Sequence, residues 1–377
     1  MIIIVAGDFC PQNRVEEEFE KRQFDSVLGE VKEVISTSDY SIVNFECPVT
    51  KGGELPIEKN GPNLQCKEVG VEALNWAGFN CVTLANNHFL DYGKEGVEQT
   101  MDSLQRYNID SVGGGKDLNE ASAILYKEFG GQKLAIINCC EHEFSIASSN
   151  TPGSNPLNPL RQYYDIREAR NHADYVLIIV HGGHEHYQLP SLRMQETYRF
   201  FVDAGADAVV NHHQHCYSGF EIYHNKPIFY GLGNFCFDYP FFSKRNPNWA
   251  YGYLLELDFS PNDIKYRVIP YEQSAEKASV SFLKNDAFNS KLDELNRIIC
   301  NRTRLEEEQI IYYKSQFSSC LSVFQPFRSR IAFAARKFKI LPSVMSKKWQ
   351  NALFNMVSCE SHKDKILFFL NKYNKDE

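Results

Sequence analysis

Side chains able to do chemistry gather where apolar runs stop. Asp8 follows the run IIIVAG, Asn44 and Glu46 close YSIVNFE, and Asn86, Asn87 and His88 follow CVTLA. His181, His184, Glu185 and His186 follow YVLIIV, while His212, His213 and His215 follow AVV. Asn234 follows PIFYGLG, with Asp238 shortly after it. Seven of the eleven histidines fall in these segments, and histidines clustered with carboxylates point to metal binding or catalysis rather than packing. Imidazole, carboxylate and amide oxygen together suit a borderline or hard divalent metal such as Mn, Zn or Fe. The spacings HEH and HHxH are not those of structural zinc, and no CxxC accompanies them. An open hydrolytic site fits better. One ion there would activate water, and two ions about 3.5–4 Å apart would clamp the attacking and leaving oxygens.

The elements that must position these residues are legible from periodicity. Apolar, β-rich runs recur at 2–7, 40–46, 81–86, 133–140, 175–183, 208–213, 227–235 and 251–259. Helical spacing of apolar residues marks 16–36, 66–78 and 96–108, with Gly78 placed as a helix C-cap. Continuous apolar strands alternating with helices predict an α/β fold whose sheet is covered on both faces. In such sheets the ligand crevice lies beyond the carboxyl ends of the strands, where the polar residues stand. Segments 141–164, rich in Ser, Asn and Pro, and 237–249, rich in aromatics, read as long loops over the site. Gly113–Gly115 read as a turn, because no Lys-Ser/Thr follows to make a phosphate loop.

From about residue 276 the pattern turns helical, and the charge turns with it. Residues 1–275 carry 22 basic and 37 acidic side chains, a net of -15, whereas 276–377 carry 18 and 11, a net of +7. The split predicts two units, 1–275 and 276–377. The whole-chain charge of -8 argues against a nucleic-acid binder. Eleven cysteines, most of them in apolar runs, read as buried reduced thiols rather than a disulfide framework. The opening MIIIVAGDFC is too short an apolar run for a signal core, and no stretch reaches a membrane span, so the expectation is a cytoplasmic protein.

The ordered set GDFCP (7–11), NFECPVT (44–50), TLANNHFLDYGKEGVEQT (83–100), HGGHEHY (181–187) and NHHQHCYSGFEIYHNKPIFYGLGNFCFD (211–238) resembles the bacterial capsule-synthesis protein family of the CapA/PgsA type. That family is associated with poly-γ-glutamate capsules, and the resemblance covers roughly residues 1–270. It implies a four-layer αββα sandwich similar to calcineurin-like metallophosphoesterases, with the helical C-terminal extension outside it. It also implies roles. Asp8, Asn87, His181, His213 and His215 would be metal ligands, with Glu46 where the superfamily has a bridging aspartate. Cys10 stands where the superfamily has a histidine and, as thiolate, would replace it. His88 would act on the leaving group, with Asp91 orienting it or its loop. Glu185, a feature of the capsule family, would be an acid/base or a substrate contact.

The resulting expectation is a metal-dependent, phosphoesterase-like hydrolase linked to capsule or extracellular polymer biosynthesis. A metal-bound hydroxide would attack, and His88 would serve as general acid. The alternative is a non-catalytic factor that binds polymer within a poly-γ-glutamate or polysaccharide synthase complex. Asn44, Asn86, His184, His186 and Asn234 are candidate substrate contacts, and all but Asn44 are equally read as turn, cap or cleft-lining residues. Asp238 reads as a loop carboxylate. Tyr92, Tyr187, Phe235 and Tyr239 offer an aromatic wall or plain packing. The expected partners are an anionic polymer or phosphoester and capsule-synthesis proteins, without nucleic acid. The basic stretch 326–349, with interleaved aromatics, reads as a helical surface packed on the acidic unit or as a peripheral contact with anionic lipid.

Overall fold

The structure, a computed structural model, describes residues 1–239, 246–260, 263–284 and 286–323, and isolated positions beyond. Strands β1 (Ile2–Phe9), β2 (Tyr40–Phe45), β3 (Cys81–Thr83) and β4 (Asp110–Val112) lie parallel, side by side. Two-residue strands β5 (Gly114–Gly115) and β8 (Gly153–Ser154) pair with each other. A second sheet takes β6 (Leu125–Phe129), β7 (Gln132–Cys140), β9 (Tyr175–His181), β10 (Ala208–His212), β11 (Phe220–Tyr223) and β12 (Lys226–Phe229). Its order is β11-β12-β10-β9-β7-β6. β13 (Tyr251–Ser260), β14 (Asp263–Gln273) and β15 (Val280–Phe282) return antiparallel to finish the first sheet on the far side of β1.

Alternation along β1 shows how the layers stack. Ile3 and Val5 belong to a core shared with Ile136, Ile178 and Val209 of the second sheet. Ile4 and Ala6 face the other way, into helices α1 (Arg14–Glu20), α2 (Phe24–Ile35), α3 (Val69–Ala77) and α4 (Gly93–Arg106). After the short helix α5 (Leu118–Ala121), α6 (Pro159–His172) and α7 (Leu192–Ala204) join the first core through Ile166, Met194 and Phe201. The order is helix, sheet, sheet, helix: the αββα sandwich. Each sheet is apolar on both faces because each is covered on both. The single helical pattern expected over 16–36 divides in two at residues 21–23, where Arg22 takes a positive φ of 59°. Gly78 caps α3 in the left-handed conformation, at φ 92°.

The chain divides into compact units at Met1–Glu306 and Glu307–Glu377. Helix α8 (Asp286–Ile299) packs on the first unit through Phe288, whose ring centroid lies 4.4 Å from that of Tyr217. The Asn296 side-chain oxygen accepts from Phe220 N at 2.7 Å, and Gln195 Nε2 donates to Ile299 O at 2.9 Å. Charge changes at 276, but the apolar face of α8 still belongs to the first core. Helix α9 (Arg302–Val323) follows. The basic stretch 326–349 lies outside the described residues, apart from isolated positions. Among the described residues no helix is long and apolar enough to cross a membrane. The nine cysteines from Cys10 to Cys300 are unpaired, and of these Cys300 is exposed.

One close approach ties the sheets together beside the site. Asp8 N donates to Gly233 O at 3.1 Å, and Phe235 N donates to Asp8 O at 2.6 Å. A Cβ at position 7 would stand 1.9 Å from Gly233 O, so only glycine fits there. Gly7→Ala is expected to cost about 1–3 kcal/mol, the usual penalty of overpacking, read as a lower denaturant midpoint. An unchanged midpoint would contradict this account of the seam.

Candidate metal centre

The carboxyl ends of strands from both sheets meet at one place. Asp8 stands near the end of β1, Glu46 just past β2, His181 at the end of β9, and His213 and His215 just past β10. Two groups of side chains could each hold an ion: Glu46, His181 and His213, and Asp8, Glu46 and His215. Within each, the ligand atoms lie within 4.8 Å of one another, all are buried, and Glu46 is common to both. Glu46 Oε1 lies 3.5 Å from His181 Nε2 and 3.6 Å from His215 Nε2. Neither buried oxygen of Glu46 accepts a hydrogen bond. A buried carboxylate without donors is costly, and a shared position between two cations would relieve it.

The surrounding amides hold this set in place. Asn44 Nδ2 donates to Asp8 Oδ1 at 2.7 Å, and His213 N donates to Asp8 Oδ2 at 3.2 Å. Asn87 Oδ1 lies 3.0 Å from His181 Nε2, and Asn87 Nδ2 donates to Glu143 at 2.8 Å. His213 Nδ1 lies 3.0 Å from His181 Nε2, so their nitrogens converge on one point. His213 and His215 adopt positive φ values of 93° and 52°, a backbone conformation uncommon outside glycine and frequent at functional sites. His212, just before them at the end of the strand, turns away, its Nε2 2.9 Å from Ala6 O.

Electrostatics follow from burial and crowding. Burial pushes His181 well below its ordinary value, and His213, His212, His215 and His88 push the same way. Burial lowers His215 to about 4, against the opposing pull of Asp8 and Glu185. Both imidazoles are therefore neutral near pH 7, the form a metal needs. Burial, then Asp8 and Glu185, hold Glu46 well above the carboxylate range. Burial also raises Glu185, but His215, His213, His186 and His88 together outweigh it and bring it below its usual value.

Beside the ligands stands a dyad. His88 Nδ1 lies 2.7 Å from Asp91 Oδ2, and His88 N donates to Asn86 Oδ1 at 3.1 Å. A cavity of about 50 Å³ opens on His88, Glu185, His186 and His215, and is walled by Phe237, Tyr239 and Trp249.

The structure brings together Asp8, Glu46, Asn87, His88, Asp91, His181, Glu185, His213 and His215. Four other expectations meet a different geometry. Cys10 belongs to the helix-side core rather than to either ligand group, and burial pushes its thiol up to about 11 beside Cys47. The Cys10 sulfur is part of neither ligand group. Asn44, besides holding Asp8, accepts from Thr83 Oγ1 at 3.2 Å. Asn86 donates to Phe45 O at 2.9 Å. Asn234 accepts at 2.9 Å from His215 Nδ1 and donates to the carbonyls of His215 and Trp249, each at 3.2 Å. These three amides orient ligands and backbone instead of facing the cleft. His186 does face it, its ring centroid 6.1 Å from that of His215, and His184 is half-buried near Glu141. Asp238 is taken up by Arg14 in an ion pair at 2.8 Å. Phe235 and Tyr92 do not line the cavity; Phe237 and Trp249 do, next to the expected Tyr239. Lys59 and Glu143, both in contact with site residues, carried no motif or period by which to single them out.

A family model described as bacterial capsule synthesis protein PGA_cap matches residues 2–239. Over 246 residues the chain is 33% identical to the capsule biosynthesis protein CapA of Bacillus anthracis, covering 63% of this chain and 60% of that protein. Over 235 residues it is 35% identical to the PGA biosynthesis protein CapA of Bacillus subtilis (strain 168), covering 62% of each. The chain thus spans about three fifths of the length of these curated relatives. Among solved structures, a phosphatase from Mycoplasma pneumoniae aligns with a TM-score of 0.44 and 17% identity, over 77% of this chain and 98% of that one.

The raised Glu46 value has a thermodynamic consequence with a definite sign. The folded, metal-stripped protein keeps a proton that the unfolded chain has released, so this group lowers stability as pH rises above its ordinary value of 4.5. At neutral pH, Glu46→Gln is expected to raise the Tm of stripped protein and to abolish stabilisation by added metal. In wild type that stabilisation reaches about 2.7 kcal/mol at 100 times Kd. Thermal melts with chelator and with Mn²⁺ or Zn²⁺ check both signs. A variant that is less stable when stripped, yet stabilised by metal like wild type, would contradict the assignment.

Proposed function

The chain belongs to the bacterial capsule synthesis protein family PGA_cap, and from that premise we propose that it is a metal-dependent hydrolase, of phosphoesterase type, serving capsule or extracellular polymer biosynthesis. The observation that carries the reading is Glu46: a buried carboxylate with no hydrogen bond, common to two ligand groups and close to a His–Asp dyad. Asp8, Glu46 and His215 would hold one divalent cation, and Glu46, Asn87, His181 and His213 the other. When bound, such ions lower the pKa of water and offset charge gathering on the substrate oxygens. His88 would give a proton from Nε2 to the leaving oxygen while Asp91 accepts from Nδ1–H, fixing the tautomer and ring. Glu185 and His186 stand where substrate would enter. Its substrate is an anionic polymer or a phosphoester, and its neighbours in the cell are enzymes of polymer synthesis.

A second reading, a non-catalytic polymer-binding factor, draws on the Cys10 position. With that thiol in the core, the Asp8 group offers three ligands where the other offers four when Asn87 is counted. A strain in which a His213→Ala/His215→Ala protein fully restores polymer formation would favour it.

Two measurements test the hydrolase. His213→Ala/His215→Ala is expected to lose bound metal, by elemental analysis, together with hydrolysis of an aryl phosphodiester. His88→Gln is expected to keep its metal and lose about 10²–10⁴-fold in kcat, the usual worth of a positioned acid–base group. If wild type and the double variant hold the same negligible metal and show the same background hydrolysis, the proposal fails.

A further inference from the structure

The loop 51–65, between β2 and α3, carries a lysine to the back of the dyad. The Lys59 side chain is 1% exposed and that of its ion-pair partner Asp91 is 0% exposed. Its ammonium pairs with Asp91 Oδ1, lies 3.1 Å from His88 Nδ1, and sits 5.4 Å from the centre of the Phe144 ring. Asp91 also clasps the loop that brings it. Asp91 Oδ2 accepts from Leu64 N at 2.6 Å, and Asp91 O accepts from Ile57 N and from Asn63 Nδ2, each at 2.9 Å.

A carboxylate buried this deeply needs a countercharge. Lys59 supplies it at Oδ1, while Oδ2 faces the imidazole. The distances assign the hydrogen bond there. Nδ1 to Asp91 Oδ2 is 2.7 Å, the shorter contact, so Nδ1 carries the hydrogen and the 3.1 Å approach of Lys59 is electrostatic. This leaves Nε2 as the nitrogen from which His88, in its imidazolium form, would give a proton to the leaving oxygen. We propose that Lys59 is a positioning residue for His88: it completes a buried Lys–Asp–His triad, and the loop 51–65 is the element that assembles it. The role rests on the reading of His88 as proton donor to a leaving group.

The test uses the full-length, metal-loaded protein and two phosphodiester probes, one releasing p-nitrophenolate and one releasing the more basic phenolate. A misplaced proton donor harms the poor leaving group selectively, whereas general structural damage lowers both rates alike. Lys59→Met is expected to lower kcat for the phenyl ester by about 10–100-fold, with a much smaller loss for the nitrophenyl ester and little change in KM. Lys59→Arg, which keeps the charge, is expected to restore most of the loss. Because Lys59→Met alone strands Asp91, Lys59→Met/Asp91→Asn is made alongside. It puts a neutral pair in the same space, and is expected to fold and to show the same leaving-group selectivity. Independently of turnover, the Nδ1–H proton resonance of His88, assigned by its absence in His88→Gln, is expected to persist in Lys59→Arg and to be lost or displaced in Lys59→Met. Equal losses for the two esters, or an unchanged resonance in Lys59→Met, overturn the proposal. If wild type cleaves neither ester, the hydrolase reading falls and the resonance alone decides the role of Lys59.

Discussion

A single carboxylate sets the terms for the rest of this site. Glu46 lies fully buried between the two sheets, with neither oxygen taking a hydrogen bond. Desolvation and the negative charge of Asp8 both act against its ionised form. A protein keeps such a group where a cation offsets the cost. The neighbouring residues are arranged for that outcome: His181 and His213 on one side, Asp8 and His215 on the other, with the two histidines whose values are displaced held neutral. Asn44, Asn86 and Asn234 then make sense as supports, since a ligand set is only as well defined as the hydrogen bonds that aim it.

The fold creates this position by bringing the carboxyl ends of two sheets together. β1 and β2 supply the acids, while β9 and β10 supply the imidazoles. No single sheet could place both. The seam is held by the bonds between Asp8 and the 233–235 segment, at a point where Gly7 lets the backbones touch. The dyad is built differently. His88 and Asp91 come from one short turn after β3, but Lys59 reaches them from a loop without helix or strand that Asp91 helps to hold.

Much of this was legible before any coordinates. The strand-end positions of Asp8, Glu46, His181, His213 and His215 follow from apolar runs that stop; strands apolar on both faces imply covered sheets, and the four-layer order comes only with the family resemblance. What the sequence hides depends on where the chain bends. Spacing puts Cys10 two residues beyond Asp8, on the same side of an ideal strand. But the pairing of β1 with β2 shifts register between Ala6 and Asp8, and the strand ends at Phe9. The thiol then turns into the helix-side core with Cys47 and Cys66. Lys59 and Glu143 sit in segments without period, and their roles exist only through contacts 29 to 56 positions away in sequence. Charge changes at 276 but is silent about the buried face of α8, whose apolar residues belong to the first core.

The central claim is that Glu46 bridges two cations. Anomalous diffraction at the Mn, Fe and Zn edges, from crystals of the full chain grown with metal, tests it most directly. The account predicts two peaks about 3.5–4 Å apart, both at coordination distance from Glu46, one also met by His181 and His213 and the other by Asp8 and His215. Crystals saturated with metal that show no anomalous peak at Glu46, with its carboxylate instead hydrogen-bonded to protein groups, would contradict it.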